Sequence, residues 1–321
     1  MTQLRDIGEF GLIKLIAPQE GGHPGVLVGI GDDTAVLEHG SHWLLYTTDM
    51  LVEGVHFSLE TTTAGQLGHK ALAVNMSDVA AMGGWPTFAL ISLGLPPDLS
   101  VAFVQELYRG MEAIAAQGGV AIVGGDTVSH PELLIINVAL LGQVPAGQAV
   151  LRSGAQRGDL ICVTNTLGDS AAGLALLSRG GEIPPSLLEV VDKHLLPQPR
   201  LREGRQLAGV ATSMLDVSDG LAGDLHHICQ ASQVRAQIEL ERLPISPAVY
   251  EAADFVGCDP LEWVLRGGED YELLFTIPPE EPLPAGASVI GQIIPGEPAI
   301  ELVDGRGRRE VLKPGAYDHF S

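Results

Sequence analysis

Apolar residues follow two spacings along this chain, and strand-like and helix-like stretches succeed one another without a strict order. Ile7–Ile16 predicts a short helix, ended by Pro18 and the Gly21-Gly22 pair. Val26–Ile30 is a continuous apolar run, a strand ending in Gly31-Asp32-Asp33, and Trp43–Thr48 is a second that runs into Asp49. Ala64–Met82 is apolar nearly all round, which predicts a buried helix stopped by Gly83-Gly84 and Pro86. Phe88–Leu93 reads as a strand. Val101, Val104, Tyr108, Met111 and Ile114 fall at helical spacing behind Ser100, a suitable N-cap, and Gly118-Gly119 closes that helix. Val120–Val123 then predicts a strand running into Gly124-Gly125-Asp126. Leu133–Gln143 predicts another, apolar enough for an interior or interface position.

The texture changes between Pro145 and Asp159, a stretch rich in Gly, Ala and polar residues that serves as the expected linker. Beyond it come a strand at Leu160–Val163 and helices from Ser170, over Pro185–Leu195 and over Arg200–Ala208. A strand at Ser213–Val217 and a helix at Leu221–Ser232 follow, then late strands at Ala236–Leu240, Tyr271–Ile277, Ser288–Ile294 and Ala299–Val303. Two domains are expected, 1–147 and 148–321. Both mix strands and helices without βαβ alternation, which gives an α+β class of layered domains and not a doubly wound sheet.

Composition narrows what such a chain can do. Of 321 residues 45% are hydrophobic and 18% charged, so there is ample apolar material for a core and disorder as the main state is excluded. The longest apolar run, Leu133–Leu141 with Asn137 inside it, is too short to span a bilayer. The N-terminus lacks the apolar core of a signal peptide, so a soluble, cytoplasmic protein without membrane contact is expected. Forty acidic residues against 18 basic ones give a net charge of −22, and only four of the basic residues are lysines. No basic patch for nucleic acid is expected. An anionic ligand would need metal cations to offset the protein's own charge. Cys162, Cys229 and Cys258 form no CxxC or Cys/His cluster and read as small buried hydrophobes.

Candidate chemistry sits in five aspartate-bearing segments: Gly29-Ile30-Gly31-Asp32-Asp33, Thr47-Thr48-Asp49, Asn75-Met76-Ser77-Asp78, Gly124-Gly125-Asp126 and Asp216-Val217-Ser218-Asp219-Gly220. Three directly follow an apolar strand, which puts a carboxylate at a sheet rim where glycines admit a ligand. Oxygen ligands of this kind suit a hard cation such as magnesium. Any one of these is an ordinary turn; five together are not. Asp78 is the sharpest, because it lies on a helix rich in Ala, Val and Met and a buried carboxylate needs a partner. The chain has no GxxxxGK[ST] and no protein-kinase signature. Gly29-Ile30-Gly31 begins like a dinucleotide fingerprint, but Thr34 replaces the third glycine and two aspartates would repel a pyrophosphate. Gly-Asp-Ser-Ala-Ala-Gly (168–173) opens a helix, either as a tight start or as a phosphate site. Arg152 is a phosphate clamp or, more simply, a solvated charge. His56 either meets a ligand or is a half-buried structural histidine, and His226-His227 reads as helix surface. Gly267-Gly268-Glu269-Asp270-Tyr271-Glu272 is a solvated turn or a ligand-facing loop.

Taken in order, the motifs resemble the thiamine-monophosphate kinases, within the ATP-binding superfamily of aminoimidazole ribonucleotide synthetase. The likeness runs nearly end to end. It includes Gly-Glu-Phe (8–10), Gly-Ile-Gly-Asp-Asp (29–33), Thr-Thr-Asp (47–49), Gly-Val-His-Phe (54–57), Lys-Ala-Leu-Ala-Val-Asn-Met-Ser-Asp (70–78) and Gly-Gly-Asp-Thr (124–127). It continues with Arg-Ser-Gly-Ala (152–155), Gly-Asp-Ser-Ala-Ala-Gly-Leu-Ala (168–175), Asp-Val-Ser-Asp-Gly-Leu (216–221), Gly-Gly-Glu-Asp-Tyr-Glu-Leu (267–273) and, more loosely, Gly-Ala-Tyr-Asp-His-Phe (315–320). The resemblance implies phosphorylation of thiamine monophosphate to thiamine diphosphate by ATP with several magnesium ions. It also implies a homodimer whose N-terminal sheets pair. By motif position it assigns Asp33, Thr47, Thr48, Asp49, Asp78, Asp126, Asp216 and Asp219 to the metals. It assigns Gly125, Asp126, Arg152 and Ser218 to the nucleotide, and His56, Glu269 and Tyr317 to the thiamine phosphate. No residue is implied as a covalent nucleophile or base. Sister activities are less well matched: selenophosphate synthesis uses a reactive cysteine or selenocysteine near the N-terminus, and the first cysteine here is Cys162. A metal-dependent phosphatase would use similar carboxylates with water as acceptor and without ATP. An inactive binding scaffold would show eroded carboxylates, and none of the motifs has lost its own.

Overall fold

The computed structural model describes residues 3–17 and 23–312. The first half carries α1 (Leu4–Ile16), β1 (Val26–Val28), β2 (Ala35–His39), β3 (His42–Val52), α2 (Ala64–Ala81), β4 (Trp85–Leu95), α3 (Val101–Gly118), β5 (Ala121–Ser129) and β6 (Ile135–Pro145). Its strands form a sheet in the order β1-β2-β3-β6-β4-β5, antiparallel except where β4 meets β5.

The second half carries β7 (Leu160–Thr164), α4 (Asp169–Arg179), α5 (Leu188–Leu195), α6 (Leu201–Leu207), β8 (Ser213–Asp216), α7 (Leu221–Ser232), β9 (Arg235–Glu239), α8 (Pro247–Val256), α9 (Pro260–Arg266), β10 (Leu273–Ile277), β11 (Ala287–Ile294), β12 (Ala299–Val303) and β13 (Arg309–Leu312). Its sheet has the order β13-β12-β9-β11-β7-β10-β8, with β9 and β12 the parallel pair. Two mixed α/β halves are thus present, as the pattern of apolar residues implies.

Helix α2 holds the halves together. It starts at a capping box, in which the Thr63 hydroxyl accepts from the Gln66 amide and the Gln66 side chain accepts from Thr63. It then runs through the interior, against α3 and the inner face of the first sheet on one side and against α6 and β8 on the other. Leu72, Met76 and Met82 therefore share one apolar core with Cys162, Met214 and Phe275 of the second half. Small residues bring α2 and α3 close: a Cβ on Gly68 would lie 1.9 Å from the Leu107 carbonyl oxygen, and one on Gly110 would lie 2.0 Å from that of Gly65.

Several elements differ from the sequence expectation. The pattern did not single out β2, α8, α9 or β13. Strand β5 continues through Gly124-Gly125-Asp126 instead of ending before it, so Asp126 lies in a strand and not in a turn. The glycines serve close approach there, since a Cβ on Gly125 would sit 1.7 Å from the Ile91 carbonyl oxygen of β4. Strand β3 likewise carries Thr47-Thr48-Asp49 in its middle. Strand β10 starts at Leu273, because Glu269 and Tyr271 adopt positive φ of 65° and 52° that no strand accommodates. Cys162 and Cys229 are buried as expected, but Cys258 is exposed. Among the described residues no helix is long and apolar enough to cross a membrane.

The α2–α3 contact has a direct test. Gly68→Ala should cost roughly 1–3 kcal/mol of stability, because the new methyl has only backbone to displace. Urea unfolding of the variant against the parent protein measures it; an unchanged midpoint would contradict the packing described.

Candidate active site

Three chain segments that are remote in sequence bring carboxylates to one point at the joint between the halves. Asp33 comes from the loop after β1, Asp78 from the last turn of α2 and Asp216 from the end of β8. One carboxylate oxygen of each lies within 4.8 Å of the others. Neighbouring hydroxyls hold two of them: Thr47 Oγ1 donates to Asp78 Oδ2 at 2.5 Å and Ser77 Oγ donates to Asp216 Oδ2 at 2.5 Å. Asp49 arrives from the inner face of β3, where its amide donates to Asn75 Oδ1 at 3.1 Å. That asparagine is itself fixed by the Ala71 carbonyl, one helical turn earlier.

Among the described residues none of Asp49, Asp78 or Asp216 has an ion pair, whereas Lys70, Arg152, Lys193 and Arg200 are matched to other carboxylates. Arg152 is one of them. It is not a solvated charge: its guanidinium donates to Asp33 Oδ1 at 2.6 Å, and its amide donates to Asp32 at 3.2 Å. Arg152 Nε and Asp33 Oδ2 are nevertheless buried without a hydrogen-bond partner. With Gly31, His227, Gln230 and Ala231, Arg152 lines a cleft of about 300 Å³. His226 and His227 are therefore half-buried and not plain helix surface.

Burial is the main cause of the unusual acidities here. It raises Asp49 to about 6, helped by the negative charge of Asp33. It raises Asp32 to about 7, with Asp33 adding to it and Arg152 opposing, and Asp216 to about 8. Asp78 is pushed well above the ordinary carboxylate range by burial and then by Asp49, Asp216 and Asp33. Buried like charges that repel one another in this way are what a divalent cation relieves. The donor set is all oxygen, which fits a hard cation such as magnesium.

The structure places the remaining sequence candidates in three groups. Thr48 and Asp126 lie on the outward face of the first sheet. Thr48 Oγ1 accepts from Asn137 Nδ2 at 2.9 Å and donates to the Val138 carbonyl at 3.0 Å, and exposed Asp126 is in register with Ser92. Neither belongs to the three-carboxylate cluster, so the ligand set drawn from sequence is split between two faces of β3 and its neighbours. Gly125 stands beside Asp126. Ser218 and Asp219 form the turn after β8, where the Asp219 amide donates to buried Asp224 at 3.1 Å. His56 closes a turn after β3, with Nδ1 accepting from the Val52 amide at 3.0 Å, which leaves Nε2 to carry the proton. Tyr317 lies outside the described residues.

Glu269 belongs to a strained segment laid along the turn after β8. Its amide donates to Ser218 O at 2.8 Å and that of Tyr271 to Val217 O at 2.9 Å. Two non-glycine residues at positive φ cost energy that such contacts must hold in place, a pattern typical of functional segments. The neighbouring Asp270 accepts from the amides of Gly168 and Ser170 at 2.7 and 3.0 Å. It therefore occupies the start of α4, so Gly168–Gly173 is a tight helix start and not a free phosphate site.

Sequence reasoning passed over Lys70, His194, Arg200, Asp224 and Glu272. Arg200 pairs with Glu272, Nε to Oε2 at 2.6 Å, and Thr164 donates to the same oxygen at 2.6 Å. Lys70 was visible as the one cation in an otherwise apolar helix. Glu272 lies in the 267–273 motif, and the others are brought in by folding from segments with no motif of their own.

Comparison with known proteins accords with this geometry. The chain matches the family model for the AIR synthase related protein N-terminal domain over residues 31–144 and that for its C-terminal domain over 156–302. It is 40% identical over 320 residues to thiamine-monophosphate kinase of Aquifex aeolicus, covering 99% of this chain and 100% of that protein. It is 41% identical over 281 residues to thiamine-monophosphate kinase of Bacillus subtilis, covering 85% and 84%. A solved structure, "AaThiL complexed with AMPPCP and TMP", superimposes with a TM-score of 0.90 at 38% identity and covers 99% of both chains.

The acidities predict how stability varies with pH. An unfolded aspartate loses its proton near pH 3.8, whereas Asp49, Asp32 and Asp216 keep theirs to about 6, 7 and 8. The folded state thus binds more protons over that interval, and stability must fall as pH rises through it. Thermal unfolding in chelator should show a Tm that declines from about pH 5 to about pH 8, and magnesium should raise it more at the upper end. A Tm that climbs across the interval would contradict the account.

Proposed function

We propose that this chain, which belongs to the thiamine-monophosphate kinase family, transfers the terminal phosphoryl group of ATP to the phosphate of thiamine monophosphate, giving thiamine diphosphate and ADP. One observation of the structure carries the reading: carboxylates from three segments converge between the halves, and among the described residues Asp78 and Asp216 have no ion pair. A kinase for two anionic substrates needs such an arrangement in a chain of net charge −22.

The acceptor is itself a phosphate, with a second pKa of about 6. Near neutral pH it is largely dianionic, so the protein need supply neither a base nor a nucleophile. The difficulty is to bring one dianion against a polyphosphate. Asp33, Asp78, Asp216, Asp49 and Thr47 would hold magnesium on the inner side of β3, Thr48 and Asp126 would hold it on the outward face of the first sheet, and Asp219 would hold it at the turn after β8. When bound, magnesium supplies the positive charge that offsets this repulsion and stabilises the transferred phosphoryl group. Arg152, Gly125 and Ser218 contact the nucleotide. The Gly125 backbone is exposed for close approach, and Arg152 presents a planar donor fork of the kind that matches phosphate. His56 donates from Nε2 to thiamine monophosphate, whose ring system Glu269 and Tyr317 also meet. Transfer is direct and in line.

The reading includes a homodimer, working in the cytoplasm where ATP is supplied, with each chain divided at 147/148. Tyr46, Met50, Phe88, Leu90, Val123 and Val128 are all exposed on the first sheet. Register puts Tyr46 beside Leu141 and Phe88, and Thr48 beside Ala139 and Leu90, so the outward side of β3, β6 and β4 is a continuous apolar face. An apolar face of this extent supports burial against a second copy.

Purified protein with ATP, magnesium and thiamine monophosphate should yield thiamine diphosphate and ADP in equal amounts, and chelator should abolish both. ADP without thiamine diphosphate would move the acceptor to another phosphate, and product formed without ATP would indicate a phosphatase. Asp216→Asn and Asp49→Asn keep side-chain shape and remove charge; each should lower kcat by about 100-fold or more. Near-normal turnover at saturating magnesium would remove these residues from the metal set. Chirally labelled γ-phosphate should invert, and retention would overturn direct transfer.

A further inference from the structure

Lys70 has no part in the chemistry described so far, yet among the described residues it is one of the largest fully buried side chains. It is one of four lysines in the chain and is 1% exposed, in a helix whose other inward residues, apart from His69, are apolar or serve the aspartate cluster. An ammonium group is retained in such a place only with a charged partner. Its partner is Glu269 Oε2, at 3.0 Å. This ion pair joins α2, in the first half, to the strained segment of the second half that lies along Ser218.

The same carboxylate oxygen is approached from another side. His194, at the end of α5, places Nδ1 at 3.4 Å from Glu269 Oε2 and at 2.9 Å from the hydroxyl of Ser170. Burial and then the charge of Lys70 depress His194 to about 4, so the ring is neutral near pH 7. The neutral ring is thus hydrogen-bonded to the Ser170 hydroxyl and packs its Nδ1 edge against the Glu269 carboxylate. Ser170 is in turn fixed by its amide, which donates to Asp270, the residue after Glu269. The two contacts share Oε2, which leaves Oε1 to face a ligand from a side chain that is 26% exposed.

Helix geometry ties this carboxylate to the metal-binding end. Lys70 and Ser77 are seven residues apart, two helical turns, and so lie on one face of α2 about 10 Å apart along the axis. Ser77 holds Asp216, and Lys70 holds Glu269. One buried helix thereby sets the position of a cluster carboxylate and of a carboxylate on the strained loop.

We propose that Lys70 and His194 are positioning residues for substrate recognition: from two sides they fix the Glu269 carboxylate so that its second oxygen meets the cationic or N–H-bearing ring system of thiamine monophosphate. The inference rests on the reading that Glu269 contacts that substrate. It adds a fixed geometry, imposed across the joint by a lysine and a histidine that touch neither substrate. A neutral acceptor without the thiamine rings gains nothing from this device, so the pair acts on selection of the acceptor and not on the phosphoryl step.

Steady-state kinetics on the full-length protein tests this. Lys70→Met keeps the stem and removes the charge. It should raise KM for thiamine monophosphate by about 10- to 100-fold, the range for loss of an orienting partner, and leave KM for ATP within about twofold. Lys70→Arg, which keeps the charge, should recover part of the loss. In a Glu269→Gln background Lys70→Met should have little further effect, because its action passes through that carboxylate. Should Lys70→Met not fold, His194→Gln carries the test with the same split in KM. A folded Lys70→Met with unchanged KM for thiamine monophosphate, equal losses for both substrates, or additive effects in the double variant would each overturn the proposal and leave the kinase reading intact. No turnover of thiamine monophosphate by the parent protein would overturn both.

Discussion

Mutual repulsion among buried carboxylates governs this structure. Asp33, Asp78 and Asp216 are drawn from three distant segments to within one ion's reach, and Asp49 stands close enough to raise Asp78 further. Folding alone gives such a cluster little: each charge loses its water and gains a like-charged neighbour. What makes the arrangement tolerable is that hydroxyls from Thr47 and Ser77 donate into it and that Arg152 covers Asp33. Among the described residues Asp78 and Asp216 are left without an ion pair of their own. Unpaired carboxylates held this close together are what a cation from outside would relieve.

Helix α2 translates that constraint into architecture. To carry Asn75, Ser77 and Asp78 into the joint, it must be buried on every side, and this requires the apolar residues that fill the rest of its length. It also requires glycines where α3 crosses it, since backbone carbonyls occupy the space of any side chain at Gly68. The one core continuous across the halves follows from the same demand. The halves are two units by topology, but they meet around a shared helix, and the candidate site lies where they meet.

Much of this was legible in the sequence. The all-round apolar character of Ala64–Met82 announced a buried helix, and Asp78 on it announced a carboxylate in need of a partner. Most strand segments and the aspartate motifs were readable for the same reason: local periodicity and turn chemistry are written in neighbouring residues. The role of the glycine pair at 124–125 was not, because a glycine that permits close approach to Ile91 looks in sequence like one that permits a turn. Neither was the division of Thr47, Thr48 and Asp49 between two sides of a sheet, which depends on knowing that β3 continues to Val52. Strands β2 and β13 are short and poorly patterned, and α8 and α9 carry their N-cap signals, Ser246-Pro247 and Asp259-Pro260, in a region with little apolar contrast around them. Pairings such as Lys70 with Glu269 or Arg200 with Glu272 join residues 199 and 72 positions apart, and no local signal encodes a partner at that range.

The distribution of cations closes the argument. A chain with 18 basic and 40 acidic residues places several of its positive charges inside, each against a chosen carboxylate: Lys70 on Glu269, Lys193 on Asp169, Arg200 on Glu272 and Arg152 on Asp33. In water such pairs would contribute little. At these depths a broken pair leaves an uncompensated charge, so each pairing fixes geometry firmly. Three of the four fix segments of the second half: the start of α4, the strained loop and the approach to β10. The fourth, Arg152, lines the cleft with its Nε still lacking a hydrogen-bond partner. Of these four cations, the three structural ones are matched, and the incompletely matched one stands beside the carboxylates that are themselves unmatched. Complementary deficits at a single place are what a ligand carrying both anionic oxygens and bound cations would satisfy together.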